Sequence, residues 1–197
     1  MSSSDQSHVV LYLIRHGETE WALAKRHTGR TNLPLTERGK QQAEKLQNAL
    51  KDIKFSAVFT SPLIRAADTA RIAGFPDATK CDHLMELDYG KYEGLTMAQI
   101  REAVPNWTVW THPCLGGETL EHAAQRVRRA IALASKYEGN VLLFAHGHIL
   151  RILTATWLNQ PPSEGKNFML DTTTVSILSH EREVPAIKQW NAPVWAP

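Results

Sequence analysis

The chain has 197 residues, 43% hydrophobic and 21% charged, enough for one domain with a full core and unlike a disordered segment. Its 22 basic and 20 acidic residues leave a net charge of +2, so bulk charge points to neither nucleic acid nor a membrane surface. Any anion site must then be a local cluster of basic groups. Residues 1–7 lack the basic and apolar regions of a signal peptide and read as a loose tail before one domain over 8–197. Cys81 and Cys114 read as free thiols in a reducing compartment, with the cytoplasm as the expected location.

Val9 to Ile14 is an unbroken apolar run that predicts a strand buried on both faces, as in parallel α/β sheets. It runs straight into Arg15-His16-Gly17. Glu18 to Leu35 reads as a long irregular stretch, and such length usually goes with function. Thr36 caps a helix whose apolar face is Ala43, Leu46, Ala49 and Leu50. Ala57–Thr60 is a second short strand. Ser61-Pro62 then opens a helix with Ser as N-cap, carrying Leu63, Ala66, Ala67, Ala70 and Ile72. Strand, helix, strand, helix is the order of parallel βαβ units.

Thr79–Cys81 reads as a brief strand and Leu84 to Gly94 as a loop with two glycines. Thr96 caps a short helix ending before Pro105, and Trp107 to Gly117 is turn-rich and aromatic. Glu118 to Tyr137 reads as a long helix with Ala123, Val127, Ala130, Ile131 and Ala134 inward and Arg126, Arg128 and Arg129 outward. Val141–Ala145 is another buried strand, running into His146-Gly147-His148. A helix follows from about Ile149 to Leu158. Thr174–Ser179 and Ala186–Trp190 alternate as paired strands across a turn near Glu183. The Trp190–Trp195 segment is apolar enough to pack on its own domain or on a neighbouring copy, which leaves a homo-oligomer open.

Two buried strands thus end alike, in Arg15-His16-Gly17 and in Ala145-His146-Gly147. Adjacent and parallel, they place both imidazoles in one crevice at the carboxyl edge of the sheet. Arg65, in the first turn of the helix after Ala57–Thr60, starts from that same edge. Taken singly, each has a plain explanation: a solvated surface arginine, a hydrogen-bonded structural histidine. Together, two guanidiniums beside two imidazoles make an oxyanion site, with phosphate as its natural ligand. The rival motifs are missing from the sequence: no Walker P-loop, no G-x-G-x-x-G after either strand, no G-x-S-x-G elbow. His146-x-His148 has metal-ligand spacing, but no carboxylate cluster joins it and the nearby arginines oppose a divalent cation.

The motifs come in a recognisable order: Leu13-Ile14-Arg15-His16-Gly17-Glu18-Thr19-Glu20-Trp21, Thr28-Gly29, Leu33-Pro34-Leu35-Thr36 and Gly39. Then come Thr60-Ser61-Pro62-Leu63-Ile64-Arg65-Ala66, Glu86-Leu87-Asp88-Tyr89-Gly90, Tyr92-Glu93-Gly94, Gly116-Gly117-Glu118-Thr119 and Ala145-His146-Gly147-His148. This series resembles the histidine phosphatase superfamily, the phosphoglycerate-mutase-like fold, over most of the chain. Trp107–Cys114 and Ala145–Arg151 are similar to its small acid-phosphatase and sedoheptulose-bisphosphatase-like branches.

The resemblance implies a three-layer α/β/α sandwich on a mostly parallel sheet. It implies a metal-independent phosphomonoesterase without a cofactor, acting on a small phosphorylated metabolite. His16 would form a phosphohistidine. Arg15, Arg65 and His146 would hold the phosphoryl oxygens, with Thr19, Thr28 and Gly29 adding hydroxyl and backbone donors. Glu86 would be the general acid and base, with Asp88 and Glu93 as nearby rivals. Tyr89, His112, Trp107 and Trp110 would wall the substrate pocket, the two tryptophans equally reading as packing within the helical cap, and Trp21 and His27 would stand at the pocket mouth. Ala22 stands where many mutases and bisphosphatases of the family have Asn, which weighs against a phosphoglycerate mutase. The further alternative is a non-catalytic binding protein on the same fold.

Overall fold

The computed structural model describes residues 8–194; the expected tail over 1–7 and Trp195 lie outside the described residues. Six strands form one sheet: β1 (Val10–Arg15), β2 (Ala57–Thr60), β3 (Thr79–Lys80), β4 (Asn140–Ala145), β5 (Val175–Glu181) and β6 (Val184–Ala192). Their order is β3-β2-β4-β1-β5-β6. The first four are mutually parallel, while β5 runs antiparallel to β1 and β6 to β5. The expected α/β architecture on a mostly parallel sheet is therefore the one observed.

Alternation along the strands separates two apolar layers. Leu11, Leu13, Val141 and Leu143 face the helices α5 (Leu120–Ala134) and α6 (Gly147–Trp157), in a cluster that includes Val127, Leu150 and Leu153. Ile14, Leu142 and Phe144 face the opposite side, where α2 (Glu37–Leu50) supplies Leu46 and Leu50 and α3 (Ile64–Ile72) supplies Ala70. On α2 the Thr36 hydroxyl accepts the Gly39 N–H, and Ala49 is exposed. A complete capping box between Thr96 and Gln99 starts α4 (Met97–Ala103).

Four local expectations are corrected. The irregular stretch after β1 contains a single turn of helix, α1 (Glu20–Leu23), capped by Thr19. The helix after β2 starts at Ile64 rather than at Pro62, with Leu63 in extended backbone as its N-cap; the Ser61 hydroxyl accepts the Leu63 N–H and the His146 Nε2–H instead of capping α3. The long helix is shorter than expected, with Thr119 as its N-cap and Ala134 its last residue. Arg126 faces inward, not outward. It is buried, its Nε and Nη2 donate to the two Glu118 oxygens at 2.9 and 2.8 Å, and Nη1 donates to the carbonyls of His83 and Met85. A guanidinium with that many acceptors can be buried at little net cost. Its effect is to fasten the segment that carries Glu86.

Candidate active site

β1 and β4 lie side by side with Arg15 paired to Ala145, and the His16 N–H donates to the Ala145 carbonyl at 3.0 Å. The two histidines therefore leave adjacent strands at the same edge, and their ring centres stand 5.1 Å apart. His16 Nδ1 lies 2.7 Å from the Gly17 carbonyl. A carbonyl only accepts, so Nδ1 carries the proton and Nε2 presents its lone pair. The peptide bearing that carbonyl is fixed from its other side, where the Glu18 N–H donates to Gln42 Oε1 at 2.9 Å. The turn passes so close to α2 that a Cβ on Gly39 would overlap the Glu18 carbonyl.

His146 is fully buried. Its Nδ1 accepts from Arg65 Nε–H at 3.1 Å, so its Nε2 carries the proton and donates to Ser61 Oγ at 2.8 Å. Arg65 spends four of its five N–H groups on protein: Nε on His146, Nη1 on Thr31, and Nη2 on the carbonyls of Thr28 and Gly29. Arg15 is less engaged. Its Nη1 donates to the Leu170 carbonyl at 2.6 Å, and its Nε is buried with no hydrogen-bond partner. A side chain on Gly147 would press on that Nε, at 3.4 Å for the Cβ alone.

Glu86 sits over the N-terminus of α6. Its Oε1 accepts the N–H groups of Leu87 and Ile149, at 2.9 and 2.8 Å, and its Oε2 accepts that of His148 at 3.0 Å. A carboxylate in this place satisfies helix-end donors and meets the positive end of the dipole. Oε2 keeps one lone pair free.

These groups open on a cavity of about 450 Å³. Of the expected residues, Arg15, His16, His27, Thr28, Glu86 and Tyr89 line it; Arg65 and His146 lie behind that wall, fully buried. Others are placed elsewhere. Thr19 is fully buried and its hydroxyl accepts the Ala22 N–H at the start of α1. The Gly29 N–H is bound by the Glu93 carboxylate. Both are corrected from phosphate ligands to scaffold. Trp21 packs on Gly94, Trp107 is in the core, and His112 Nδ1 pairs with Thr111, so none of the three reaches the cavity wall. Trp110 backs the site from outside, against the ring of His148 and beneath Arg151.

Sequence reasoning assigned no role to His148 or Arg151, yet both line the cavity, as do Lys25, Arg26, Met97 and Leu170. The signal was helical spacing: Gly147 and Arg151 are four apart and share a face of α6. A wider depression of about 740 Å³ opens at the far edge of the sheet, near Val9, Trp157 and His180. It gathers none of the strand-end residues, and the chemistry belongs to the smaller cavity.

Burial, then the charges of Arg65 and Arg15, hold His16 well below the usual histidine range. His146 is held down by burial, Arg65 and His16, and His148 by burial, Arg151 and His27. All three rings are neutral near pH 7. Burial also pushes the Tyr89 phenol well up, so Tyr89 keeps its proton and donates to His148 Nδ1 at 2.6 Å. Cys81 and Cys114 are free and buried, and among the described residues no cluster of three or more His, Cys, Asp or Glu is placed to hold a metal ion. No helix among them is long and apolar enough to cross a membrane.

A neutral histidine aimed at an arginine-lined cavity, on the edge of this sheet, makes a site for a phosphoryl group. The chain belongs to the histidine phosphatase superfamily (branch 1), whose family model matches residues 11–193. An acid phosphatase of Mycobacterium tuberculosis is 40% identical over 178 residues, covering 88% of each chain. A sedoheptulose 1,7-bisphosphatase of Saccharomyces cerevisiae is 32% identical, over 74% of this chain and 66% of that protein. A solved structure of an open reading frame from Mycobacterium tuberculosis superposes with a TM-score of 0.89 at 38% identity, over 94% of this chain and 98% of that one.

Proposed function

We propose that the protein hydrolyses small phosphorylated metabolites through a phosphohistidine on His16, without a metal. The observation that carries this reading is the pinned tautomer of His16, whose Nδ1–H is committed to Gly17 and whose Nε2 is unprotonated. In the first step Nε2 attacks phosphorus, the bond from phosphorus to the ester oxygen breaks, and protonated Glu86 delivers its proton to the leaving oxygen. In the second, Glu86 takes a proton from water as that water attacks phosphorus. The phosphorus–nitrogen bond breaks, inorganic phosphate forms and His16 is restored.

Arg15 offers its unpartnered Nε–H and a free Nη2 to the phosphoryl oxygens, and Arg65 contributes charge and one remaining N–H. Guanidiniums thus do the charge stabilisation that Mg²⁺ does elsewhere. His146, with both nitrogens engaged, acts by holding Arg65 rather than by touching the phosphoryl group. Hydrolysis is favoured over mutase chemistry because the cavity rim at Lys25 and Arg26 is exposed and Ala22 leaves space, so water reaches the phosphoenzyme.

The test is to quench turnover of p-nitrophenyl phosphate in denaturant and search by mass spectrometry for acid-labile phosphate on His16. The expected result is a transient adduct, absent in His16→Ala, with turnover unaffected by chelators. Wild-type turnover by His16→Ala would refute the mechanism. Isomerisation of 3-phosphoglycerate without phosphate release would make the enzyme a mutase.

A further inference from the structure

The proposed reaction gives Glu93 no part, although its carboxylate binds the loop that Arg65 holds. Arg65 is fully buried, and among the described residues neither it nor Glu93 takes part in an ion pair. Residues 28–31 lie between them. On one side Arg65 Nη2 donates to the carbonyls of Thr28 and Gly29, at 3.1 and 2.8 Å, and Nη1 to that of Thr31 at 2.9 Å. On the other, Glu93 Oε1 accepts the N–H groups of Gly29 and Thr31, at 2.9 and 3.0 Å, and Oε2 lies 3.1 Å from the Gly29 nitrogen. Three of the four hydrogen bonds that orient Arg65 therefore end on a loop whose own N–H groups end on Glu93.

The Thr28 carbonyl and the Gly29 N–H belong to one peptide. A guanidinium grips that peptide at its oxygen and a carboxylate at its hydrogen, so its dipole lies along the field of two opposite charges. Hydrogen bonds chained in this way polarise one another and stiffen the chain. The close approach requires glycine: a Cβ at position 29 would overlap the Leu87 carbonyl and stand 2.7 Å from Glu93 Oε2. The backbone around Glu93 is also fixed. The Gly94 N–H donates to the His27 carbonyl at 2.8 Å, and the His27 N–H to the Leu95 carbonyl at 2.9 Å. Glu93 thus stands at a set distance behind the loop, and the loop at a set distance from Arg65.

We infer that Glu93 is a positioning residue for phosphoryl transfer: through the Thr28–Gly29 peptide and Thr31 it sets where the Arg65 guanidinium stands against the transferring group. Glu93 is not on the cavity wall, so it acts through Arg65 and touches no reacting atom. The inference rests on the phosphatase reading, which gives Arg65 its part in the reaction.

The experiment measures turnover of p-nitrophenyl phosphate and affinity for orthovanadate, a mimic of the phosphoryl group in its transition state, in three variants. In Glu93→Ala, kcat is expected to fall by about tenfold and vanadate affinity with it, while KM stays within about twofold. Glu93→Gln keeps Oε1, which takes both short bonds, and is expected to restore most of the rate and of the vanadate affinity. Glu93→Asp ends short of the loop, so it should show the same pattern of loss in smaller measure; it decides the matter if Glu93→Ala does not fold. A carboxylate that merely supports the fold predicts a lower melting temperature with kcat and vanadate affinity per folded enzyme unchanged, and that result would overturn the inference. So would a loss confined to KM, or a Glu93→Gln as slow as Glu93→Ala. A wild type that binds orthovanadate but hydrolyses no phosphate ester would sink the phosphatase reading alone. The calorimetric vanadate affinities of the variants would then still decide whether Glu93 sets Arg65.

Discussion

Arg65 donates one hydrogen bond to His146, Nε–H to Nδ1 at 3.1 Å, between a guanidinium and an imidazole that are both fully buried. The same guanidinium closes on the carbonyls of Thr28, Gly29 and Thr31. It therefore ties the loop after α1 to the end of β4. Arg65→Lys keeps the charge and loses the fork, leaving buried carbonyls without donors. We expect a loss of about 3 kcal/mol or more in urea unfolding and a fall in kcat of more than about tenfold. Ser61→Ala removes the acceptor of His146 Nε2–H and of the Leu63 N–H and should cost about 1–2 kcal/mol. Equal losses in the two variants would show that the fork does not hold the loop.

Gln42 orients the proposed nucleophile at one remove. Its amide oxygen accepts the Glu18 N–H, which belongs to the peptide whose carbonyl receives His16 Nδ1–H. Gln42→Ala frees that peptide and the ring with it. We expect kcat to fall by about tenfold, in the range a mispositioned group costs, with KM for p-nitrophenyl phosphate held. Gln42→Glu keeps an acceptor and should retain most of the rate. A loss confined to KM would assign Gln42 to substrate binding instead.

Much of this site can be read from the sequence because it lies where strands end. Apolar runs place β1 and β4 in the sheet interior, and the residues next in the chain must fall at its carboxyl edge. Thr36 and Thr96 are equally legible, since capping is local. The illegible part is made by side chains reaching backbone far away in the chain. Arg126 sits on a helix face that reads as solvent-exposed, yet it donates to the carbonyls of His83 and Met85, more than 40 residues back in the chain. Gly29 gives its N–H to Glu93, 64 residues on, and so drops out of the phosphate site. Such bonds have no period, and no window along the chain contains both partners.

The three neutral imidazoles make stability depend on acid. His16, His146 and His148 are held below the usual histidine value by burial and neighbouring cations. The unfolded chain titrates them near about 6.5. Below that pH the unfolded state binds more protons than the native one, so stability falls as pH drops. Above it the contribution is complete and flat. The melting temperature should hold between about pH 7 and 8 and decline from about 6.5 down to 5, by linkage to these groups. His148→Asn, which still offers Tyr89 an acceptor, should flatten part of that decline. A melting temperature indifferent to acid would mean that the rings bind protons as readily in the native state as in the unfolded one.

Glu86 is asked to do two things, and the leaving group separates them. As a structural group it satisfies the N–H groups of His148 and Ile149 at the start of α6. As an acid it must protonate the departing oxygen, which matters only when that oxygen makes a poor anion. p-Nitrophenolate leaves without a proton; an alkoxide does not. If Glu86 were structural alone, Glu86→Ala would slow both classes of ester by the same factor. If it is the acid, the alkyl ester loses an additional factor of about 10²–10⁴, the usual worth of general acid catalysis. We expect the second result from kcat/KM on p-nitrophenyl and 4-hydroxybutyl phosphate, with the additional slowing of phosphohistidine formation confined to the alkyl ester. Asp88 is the internal control. Its Oδ1 accepts the Gly90 N–H, and its side chain is not on the cavity wall. Asp88→Asn should therefore leave the leaving-group dependence where Glu86 sets it. If it abolished that dependence instead, the proton would have to come from Asp88.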